Sequence, residues 1–191
     1  DFIDTRTSTM LWTRHFEANA SEFTAGAAES IRLVVQAVSG AIADQALSHV
    51  AGRAVDDIED HRLVIAGVRL MYRPTLREFA RSRELLEEAA RRAPRSPEVH
   101  AWLGNWHVLS EFNRWSTDER HDTQSALDRT ARSLDMSPDN SFCLTSDGFA
   151  HNNLLRRLDI AESRYNAALE ANPKLVSNGS FLAAAMHRSP R

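Results

Sequence analysis

Apolar and polar residues alternate, although imperfectly, near the start of the chain. Met10, Trp12 and Phe16 lie on one face of an extended run, and a period of two predicts a β-strand. A polar turn precedes this run, and before the turn the apolar pair Phe2–Ile3 predicts a partner strand. The opening of the chain is therefore predicted to form a short β-hairpin.

The period changes to that of a helix between Phe23 and Val50. Apolar residues recur there at steps of three to five residues and form one stripe, which predicts a long amphipathic helix. Residues 52–60 are polar and predict a connector. Beyond residue 60 the periodicity is helical throughout, so the predicted fold class is mostly α.

Prolines and small residues recur in this helical part at a nearly regular spacing. Pro94, Pro138 and Pro173 are 44 and 35 residues apart, and Gly104 and Gly148 each follow a proline by ten residues. A period of about 34 residues is the signature of the tetratricopeptide repeat, in which two antiparallel helices form one unit. The stretch resembles this family.

The resemblance implies a right-handed α-solenoid of about three and a half repeats over residues 61–191, because no helix pair buries its apolar stripe without a neighbour. The second repeat would carry about ten additional residues at 111–122, and the last helix, 176–187, would lack a partner. The positions where helices pack closely would be Gly67, Ala89, Gly104, Ala126, Pro138, Gly148, Ala161, Tyr165, Ala168 and Pro173.

In repeats of this type the first helices line a concave groove that binds a protein or peptide. The surface that results here is mixed and partly apolar, unlike the basic clamp with which chaperone-binding members hold a carboxylate terminus. A neighbouring element, or another domain of the parent chain, could fill the groove instead. By register the groove residues would be His61, Val64, Val68, Met71, Tyr72, Glu98, Ala101, Asn105, Val108, Phe142, Thr145, Phe149, Asn152 and Asn153.

A finer resemblance begins with the opening hairpin. The phrase with Asp4, Thr7, Leu11-Trp12, Arg14 and Phe16 is similar to the last hairpin of a small α/β module in modular bacterial regulators. In those proteins a class III adenylate or guanylate cyclase domain, or a winged-helix domain, precedes helical repeats. The resemblance implies a signal-transduction role. However, no position in this sequence matches the metal-binding aspartates of the cyclases or a DNA-reading helix.

The predicted domain organisation follows from these two resemblances. Residues 1–51 would be the hairpin and amphipathic helix at the end of a small α/β module, residues 52–60 a connector, and residues 61–191 the repeats. Because a strand starts at the first residue and the last apolar helix has no partner, we expect the chain to be part of a longer protein. Apolar surface at both ends could also drive the pairing of two copies.

Composition narrows the partner. The 191 residues are 42% apolar and 26% charged with a net charge of −3, which argues against nucleic-acid binding through bulk charge. No apolar run approaches the roughly 20 residues of a membrane span. The one cysteine is compatible with a reducing compartment, and we expect a cytoplasmic protein. Arginines in residues 81–95 alternate with glutamates, with predicted pairs Glu87–Arg91 and Glu88–Arg92, so this surface is expected to be a solvated helix face.

The sequence offers no catalytic set, and we expect neither an enzyme nor a cofactor. No nucleophile elbow or phosphate-binding loop occurs, and Cys143 has no evident activating partners. His100 and His107 are seven residues apart on one helix, about 10 Å, which is too far to bind one metal ion. They are expected to be packing histidines.

These observations predict a non-catalytic segment for protein–protein interaction or regulation. The alternative is a small-molecule sensor in which the insertion at 111–122, with Trp115, closes a pocket. Trp102, Trp106 and Trp115 lie near Phe112; such aromatic residues are favoured in cores and in interfaces alike, so both assignments stay open.

Overall fold

The computed structural model describes residues 2–4, 9–13 and 27–173. Within these ranges the chain forms two strands, a 3-10 turn at Val55–Asp57 and seven α-helices. The helices are α1 (Ala27–Val50), α2 (Asp60–Met71), α3 (Leu76–Arg92), α4 (Pro97–Phe112), α5 (Glu119–Met136), α6 (Ser141–Leu154) and α7 (Leu158–Ala171). No helix in these ranges has the length and apolar character that crossing a membrane requires.

The two strands pair antiparallel. Strand β1 (Phe2–Asp4) lies against β2 (Thr9–Trp12), with Phe2 opposite Trp12 and Asp4 opposite Thr9. The predicted turn between them and the predicted continuation of the second strand to Phe16 fall outside the described residues, as does the predicted last helix at 176–187.

Consecutive helices from α2 onward form antiparallel pairs. The end of α3 reaches the start of α2, where Arg92 Nη1 donates a hydrogen bond to the carbonyl of Ile58 at 2.6 Å. In the second pair His107, late in α4, contacts Asp122 in the first turn of α5. In the third pair Gly148 of α6 lies against Tyr165 of α7. The pairs are α2–α3, α4–α5 and α6–α7.

Neighbouring pairs stack side by side. The rings of Trp102 in α4 and Phe142 in α6 are 4.5 Å apart, and Asn105 Nδ2 donates to Ser146 Oγ at 3.0 Å. Residue numbers increase together along this contact, so the first helices of the two pairs run parallel. This is the arrangement of tetratricopeptide-like helix pairs, and the right-handed twist of the solenoid stays a prediction.

Glycines and small residues allow the helices within each pair to approach closely. A Cβ atom at Gly67 would lie 2.9 Å from Leu86 Cγ, one at Gly104 2.6 Å from Thr130 Cγ2, and one at Gly148 2.7 Å from Tyr165 Cε1. The other predicted packing residues in the helices are buried: Ala89, Ala126, Ala161, Tyr165 and Ala168. The two predicted prolines, Pro138 and Pro173, are exposed just beyond the ends of α5 and α7.

The end of α1 shares a core with the first pair. Ala46 and Val50 are buried together with Ile58 of the connector and Leu63 of α2. The stretch 52–60 therefore lies between elements that pack on one another. The apolar groups removed from water here stabilise α1, the connector and the first pair together.

Arg92 fixes this connector to α3. Besides Ile58, its guanidinium donates to the carbonyls of Val55 and Asp56 and to the carboxylates of Asp60 and Glu88. A guanidinium carries five N–H donors in a planar fork. Here it donates to the carbonyls of Asp56 and Ile58 and adds a second donor to the carbonyl of Val55, which also accepts from the backbone N–H of Ile58.

The structure corrects one predicted ion pair on this helix. Glu88 pairs with both Arg91 and Arg92, whereas Glu87 pairs with Arg83 at 2.7 Å. The predicted Glu87–Arg91 pair is therefore wrong. Arginines at both i+3 and i+4 are within reach of one carboxylate on a helix surface, and Glu88 occupies that position.

Replacing Arg92 by alanine is expected to lower the urea midpoint of unfolding, because several carbonyl groups of the connector lose their donor at once. The matched control is Arg91→Ala, which removes a neighbouring arginine that contacts carboxylates only and should change the midpoint little. Equal shifts for the two variants would show that the connector is held by other contacts.

Candidate functional site

Six of the predicted groove residues are buried and cannot be offered to a partner. For the residues of α4 and α6 the reason is that these helices pack directly on each other, and the register that places the residues on one face also places them between helices. Met71 of α2 is buried in the core around the first pair. Two of them are polar and hydrogen-bond within the fold: Asn105 Nδ2 donates to Ser146 Oγ, although Asn105 Oδ1 accepts no hydrogen bond, and Thr145 Oγ1 donates to the carbonyl of Ser141 at 2.7 Å. The six buried residues are Met71, Ala101, Asn105, Val108, Thr145 and Phe149.

The remaining groove residues keep some access to solvent. His61, Tyr72 and Glu98 are exposed, and Glu98 accepts a hydrogen bond from Asn140 Nδ2 at 2.9 Å. The other five are half-buried: Val64, Val68, Phe142, Asn152 and Asn153. As a surface for a partner, this reduced set stays a prediction.

A different surface carries several exposed apolar side chains. Because the first helices of the pairs run parallel, the three turns inside the pairs lie at the same edge of the stack. Trp115, just after α4, packs edge-on against Phe79 in the first turn of α3 at 4.9 Å, and the ends of α4 and α6 line a common cavity. We call residues 72–76, 112–118 and 155–158 the turn edge.

Each of the three turns exposes one or two large apolar residues. Their exposed fractions lie between 40% and 56%: Tyr72, Leu76, Phe112, Leu155 and Leu158. Single exposed apolar residues are ordinary on protein surfaces, and here each of three neighbouring turns carries at least one. Tyr72 belongs to the predicted groove, and Phe112 is the residue that the sequence places near the three tryptophans Trp102, Trp106 and Trp115. Sequence patterns do not predict the three leucines as site residues, because Leu76 is far in sequence from Leu155 and Leu158, and only the stacking of the pairs brings the two turns to one edge.

A cavity of about 270 Å³ opens at the centre of this edge, between the ends of α4 and α6 and the start of α5. The insertion predicted at 111–122 forms its border: α4 ends at Phe112, and Asp118 caps α5 by accepting from the backbone N–H of His121 at 3.0 Å. The lining residues are Val108, Glu111, Phe112, Glu119, Thr123, Asn153 and Leu154.

Glu111 is in an unfavourable setting for a carboxylate. Its Oε1 is buried without a hydrogen-bond partner. Burial raises the pKa of Glu111, and the negative charges of Glu119, Asp122 and Asp118 add to the rise, while the nearby Ser116 hydroxyl offsets part of it. Among the described residues, no arginine or histidine lies within 4.0 Å of the carboxylate of Glu111 or Glu119. The cavity is therefore acidic.

Two buried polar networks hold the second and third pairs together. His107 Nδ1 donates to Asp122 Oδ1 at 2.7 Å, and Ser110 Oγ donates to Asp122 Oδ2 at 3.1 Å. The serine thus bonds to the carboxylate and not to the imidazole, so the trio lacks the serine–histidine contact that activates a nucleophile. Burial opposes ionisation of Asp122, but the nearby Ser116 hydroxyl and the hydrogen bonds from His107 and Ser110 outweigh it and lower the pKa of its carboxyl.

The second network centres on Asp147. Its carboxylate accepts from Thr130 Oγ1 at 2.8 Å and from Arg164 Nε at 2.9 Å, which joins α5, α6 and α7. Cys143 is buried and burial raises the pKa of its thiol, which disfavours the reactive thiolate. The part of the chain that the structure describes holds no cluster of three potential metal ligands.

Trp102, Trp106 and Trp115 pack inside the fold. Trp106 is 6% exposed; its ring stacks on Phe79 at 4.5 Å and its indole N–H donates to the Phe79 carbonyl at 3.0 Å. Trp102 and Trp115 are partly buried against the same core. Among Phe112 and these three tryptophans, only Phe112 is exposed enough to act as an anchor for a partner.

Acidification from about pH 7 to pH 5 is expected to destabilise the protein through His100 and His107. Burial lowers the pKa of both, so each binds a proton more readily in the unfolded chain, where the pKa is about 6.5. Their contribution to the free energy of unfolding is complete above the pKa of the unfolded state. It is lost as the pH falls from there through the lower pKa of the folded state.

Urea titrations at several pH values would measure this effect. Carboxyl groups with a lowered pKa, such as that of Asp122, lose their stabilising effect only at lower pH. In the variant His100→Gln the free energy of unfolding should therefore change less with pH above about pH 5 than in the parent chain. A stability that is unchanged over this range in the parent chain would contradict the assignment.

Comparisons with known proteins give one structural likeness. No protein-family model matches the sequence, and no curated protein matches it. A solved structure titled MamA MSR-1 C2 superposes with a TM-score of 0.46 and 19% sequence identity, over 88% of this chain and 80% of that chain.

Proposed function

We propose that this chain is a non-catalytic interaction segment that binds a partner protein along the turn edge. The observation that carries the proposal is the exposure of large apolar residues at each of three successive turns. Burying such side chains in a complex is favourable by roughly 25 cal/mol per Å² of apolar surface. The predicted groove is the weaker candidate, because its central residues are already buried between α4 and α6.

The biological setting is a second part of the proposal. The opening phrase around Leu11-Trp12 resembles modular bacterial regulators, and on this basis we assign the segment to a cytoplasmic signalling protein. A cyclase or winged-helix domain of the parent protein would then be the effector, and this segment would couple a bound partner to it. A cyclase assay on the chain itself is expected to give no turnover.

Selection from a library of short random peptides, displayed on phage, tests the binding surface. The parent chain is expected to enrich peptides with apolar residues, and the variant Leu76→Ser/Leu158→Ser should lose them. The control variant His61→Ser/Glu98→Gln alters exposed groove residues and should retain them. All four positions are exposed, so both variants should fold. Loss in the control with retention in the turn-edge variant would contradict the proposal.

A small-molecule sensor remains the second candidate, and the cavity of about 270 Å³ favours it. The sequence predicts that Trp115 closes the pocket of this sensor. In the structure, however, Trp115 packs on Phe79 and does not line the cavity. Ligand pockets usually measure about 300–1,000 Å³, so the cavity suits a small metabolite at most. A thermal-shift screen in which a metabolite raises the melting temperature by several degrees would favour the sensor over the interaction segment.

A further inference from the structure

We propose that the turn edge binds an acidic segment of the partner protein, whose carboxylates contact the arginines that directly follow the first helices of the pairs. The inference rests on the proposed function and deepens it, because it names the chemistry of the partner. The apolar residues of the turn edge would hold the segment, and the arginines would select and orient it.

An arginine occupies the same place in each of the three turns. In every pair one residue caps the end of the first helix, and the next residue is an arginine: Arg73 after α2, Arg114 after α4 and Arg156 after α6. All three are exposed, and exposed apolar residues lie in the same turns. Each turn therefore offers a partner both an apolar side chain and a cation.

Two of these arginines have a backbone conformation that favours glycine. The angle φ is 57° at Arg114 and 53° at Arg156, in the left-handed region, where the Cβ atom crowds the following carbonyl oxygen. Helices commonly end in this conformation, and the residue there is usually glycine. The turn itself therefore gives no reason for an arginine. Residues held in such conformations are concentrated at functional sites, and the guanidinium is what a glycine would lack.

The three guanidinium groups are not neutralised within the fold. Among the residues that the structure describes, no carboxylate lies within 4.0 Å of Arg73, Arg114 or Arg156. An unpaired guanidinium presents N–H donors in a fork that matches a carboxylate. Several arginines of α3, in contrast, pair with glutamates of the same helix: Arg81, Arg83, Arg91 and Arg92.

The charge of the turn edge is opposite to that of the whole chain. The turn edge contains four arginines, the fourth being Arg157, which lies 3.4 Å from Asp159. Its one acidic residue is Asp118, whose carboxylate caps α5. A basic edge on a chain of net charge −3 attracts an acidic partner and orients it.

Two carboxylates beside the second turn favour a peptide over an anionic membrane. Glu111 and Glu119 line the cavity next to Phe112. A continuous surface of anionic lipid would bring negative charge against them, whereas a peptide can place its carboxylates at the arginines alone.

The spacing of the turns defines the pattern of the acidic segment. Helices α4 and α6 pack on each other, and the axes of packed helices are about 8–10 Å apart. An extended chain spans this distance in about three residues. The segment is therefore expected to carry an acidic residue at every third position, with apolar residues between them.

Two synthetic peptides that differ only in charge test the inference. The first is Ser-Leu-Asp-Ser-Leu-Asp-Ser-Leu-Gly with a fluorescent label, and the second has asparagine at both aspartate positions. Fluorescence anisotropy with the full chain measures the two dissociation constants. The aspartate peptide is expected to bind about tenfold more tightly, because each of two ion pairs contributes a modest amount. The difference should shrink at high salt concentration, which screens exposed charges.

The variant Arg114→Gly/Arg156→Gly should weaken the aspartate peptide by a similar factor and leave the asparagine peptide unchanged. Because glycine suits the left-handed backbone, this variant should fold as well as the parent chain, which urea unfolding can verify. The matched control is Arg95→Gln/Arg132→Gln. It removes two exposed arginines at the opposite edge, where Arg132 Nη2 lies 3.5 Å from the Pro94 carbonyl oxygen, and should change neither dissociation constant.

Three results would overturn the inference. Equal affinity for the two peptides, or equal weakening in the control variant, would show that these arginines do not select a carboxylate, and the proposed function would stand because the peptides still bind. Failure of both peptides to bind would also reject it, and the library selection would then decide the proposed function independently. Binding to phosphatidylserine vesicles that Arg114→Gly/Arg156→Gly abolishes, without a preference between the peptides, would assign the arginines to a lipid surface instead.

Discussion

Replacing Phe79 by alanine is expected to lower the free energy of unfolding by about 3–5 kcal/mol, the largest loss among the substitutions considered. Phe79 is 1% exposed, stacks on Trp106 and contacts Trp115 edge-on at 4.9 Å. Its removal leaves a cavity between the first and second helix pairs, and neighbouring rings lose contacts that solvent cannot replace. Urea unfolding followed by tryptophan fluorescence measures the loss.

Phe112→Ala is the matched control for this experiment. Phe112 is 50% exposed, so its loss should cost about 1 kcal/mol or less. The contrast distinguishes an aromatic residue of the core from one available to a partner. If the two variants were equally destabilised, the assignment of Phe112 to the turn edge would be wrong.

A methyl group at Gly104 is expected to destabilise the protein by about 2–3 kcal/mol. The Cβ atom of Gly104→Ala would lie 2.6 Å from Thr130 Cγ2 and 3.3 Å from the carbonyl oxygen of Ala126. The helices of the second pair would have to separate. The comparison variant is Gly40→Ala in α1, where the new Cβ would meet no atom within 4 Å apart from its chain neighbours and the backbone of its own helix. This variant should stabilise the helix by about 0.5–1 kcal/mol.

Thr130→Ser provides the second half of this experiment. It removes the methyl group that Gly104→Ala would meet and keeps the hydroxyl that donates to Asp147. In a double-mutant cycle the pair is expected to recover about 1 kcal/mol or more of the loss. Additive effects would mean that the close approach at Gly104 does not limit how the helices pack.

The ends of the helices could be predicted from the sequence because they depend on local chemistry. The residue before a proline is disfavoured in helical geometry, and α3, α5 and α7 each end two residues before one: Arg92 before Pro94, Met136 before Pro138 and Ala171 before Pro173. Glycine spacing indicated the helix pairs for the same reason, since a close approach needs a residue without a side chain.

The site could not be predicted in the same way, because it depends on contacts between distant residues. Periodicity shows which face of α4 is apolar, but it does not show that α6 covers Asn105. Nor does it show that Thr145 forms its hydrogen bond within its own helix. The sequence therefore predicts groove residues at positions that the structure buries between helices. Similarly, Leu76 and Leu158 are 82 positions apart in sequence, and only the parallel first helices bring their turns to one edge.

The most direct test of the turn edge is an amide NMR map of the isotope-labelled chain with a peptide from the library selection. Shifts are expected to cluster in residues 72–76, 111–119 and 153–158, with few changes at His61, Glu98 and Phe142. Saturation transfer from the peptide should reach the methyl groups of Leu76, Leu155 and Leu158. A map centred on His61, Val64 and Phe142, with the three leucines unaffected, would contradict the account.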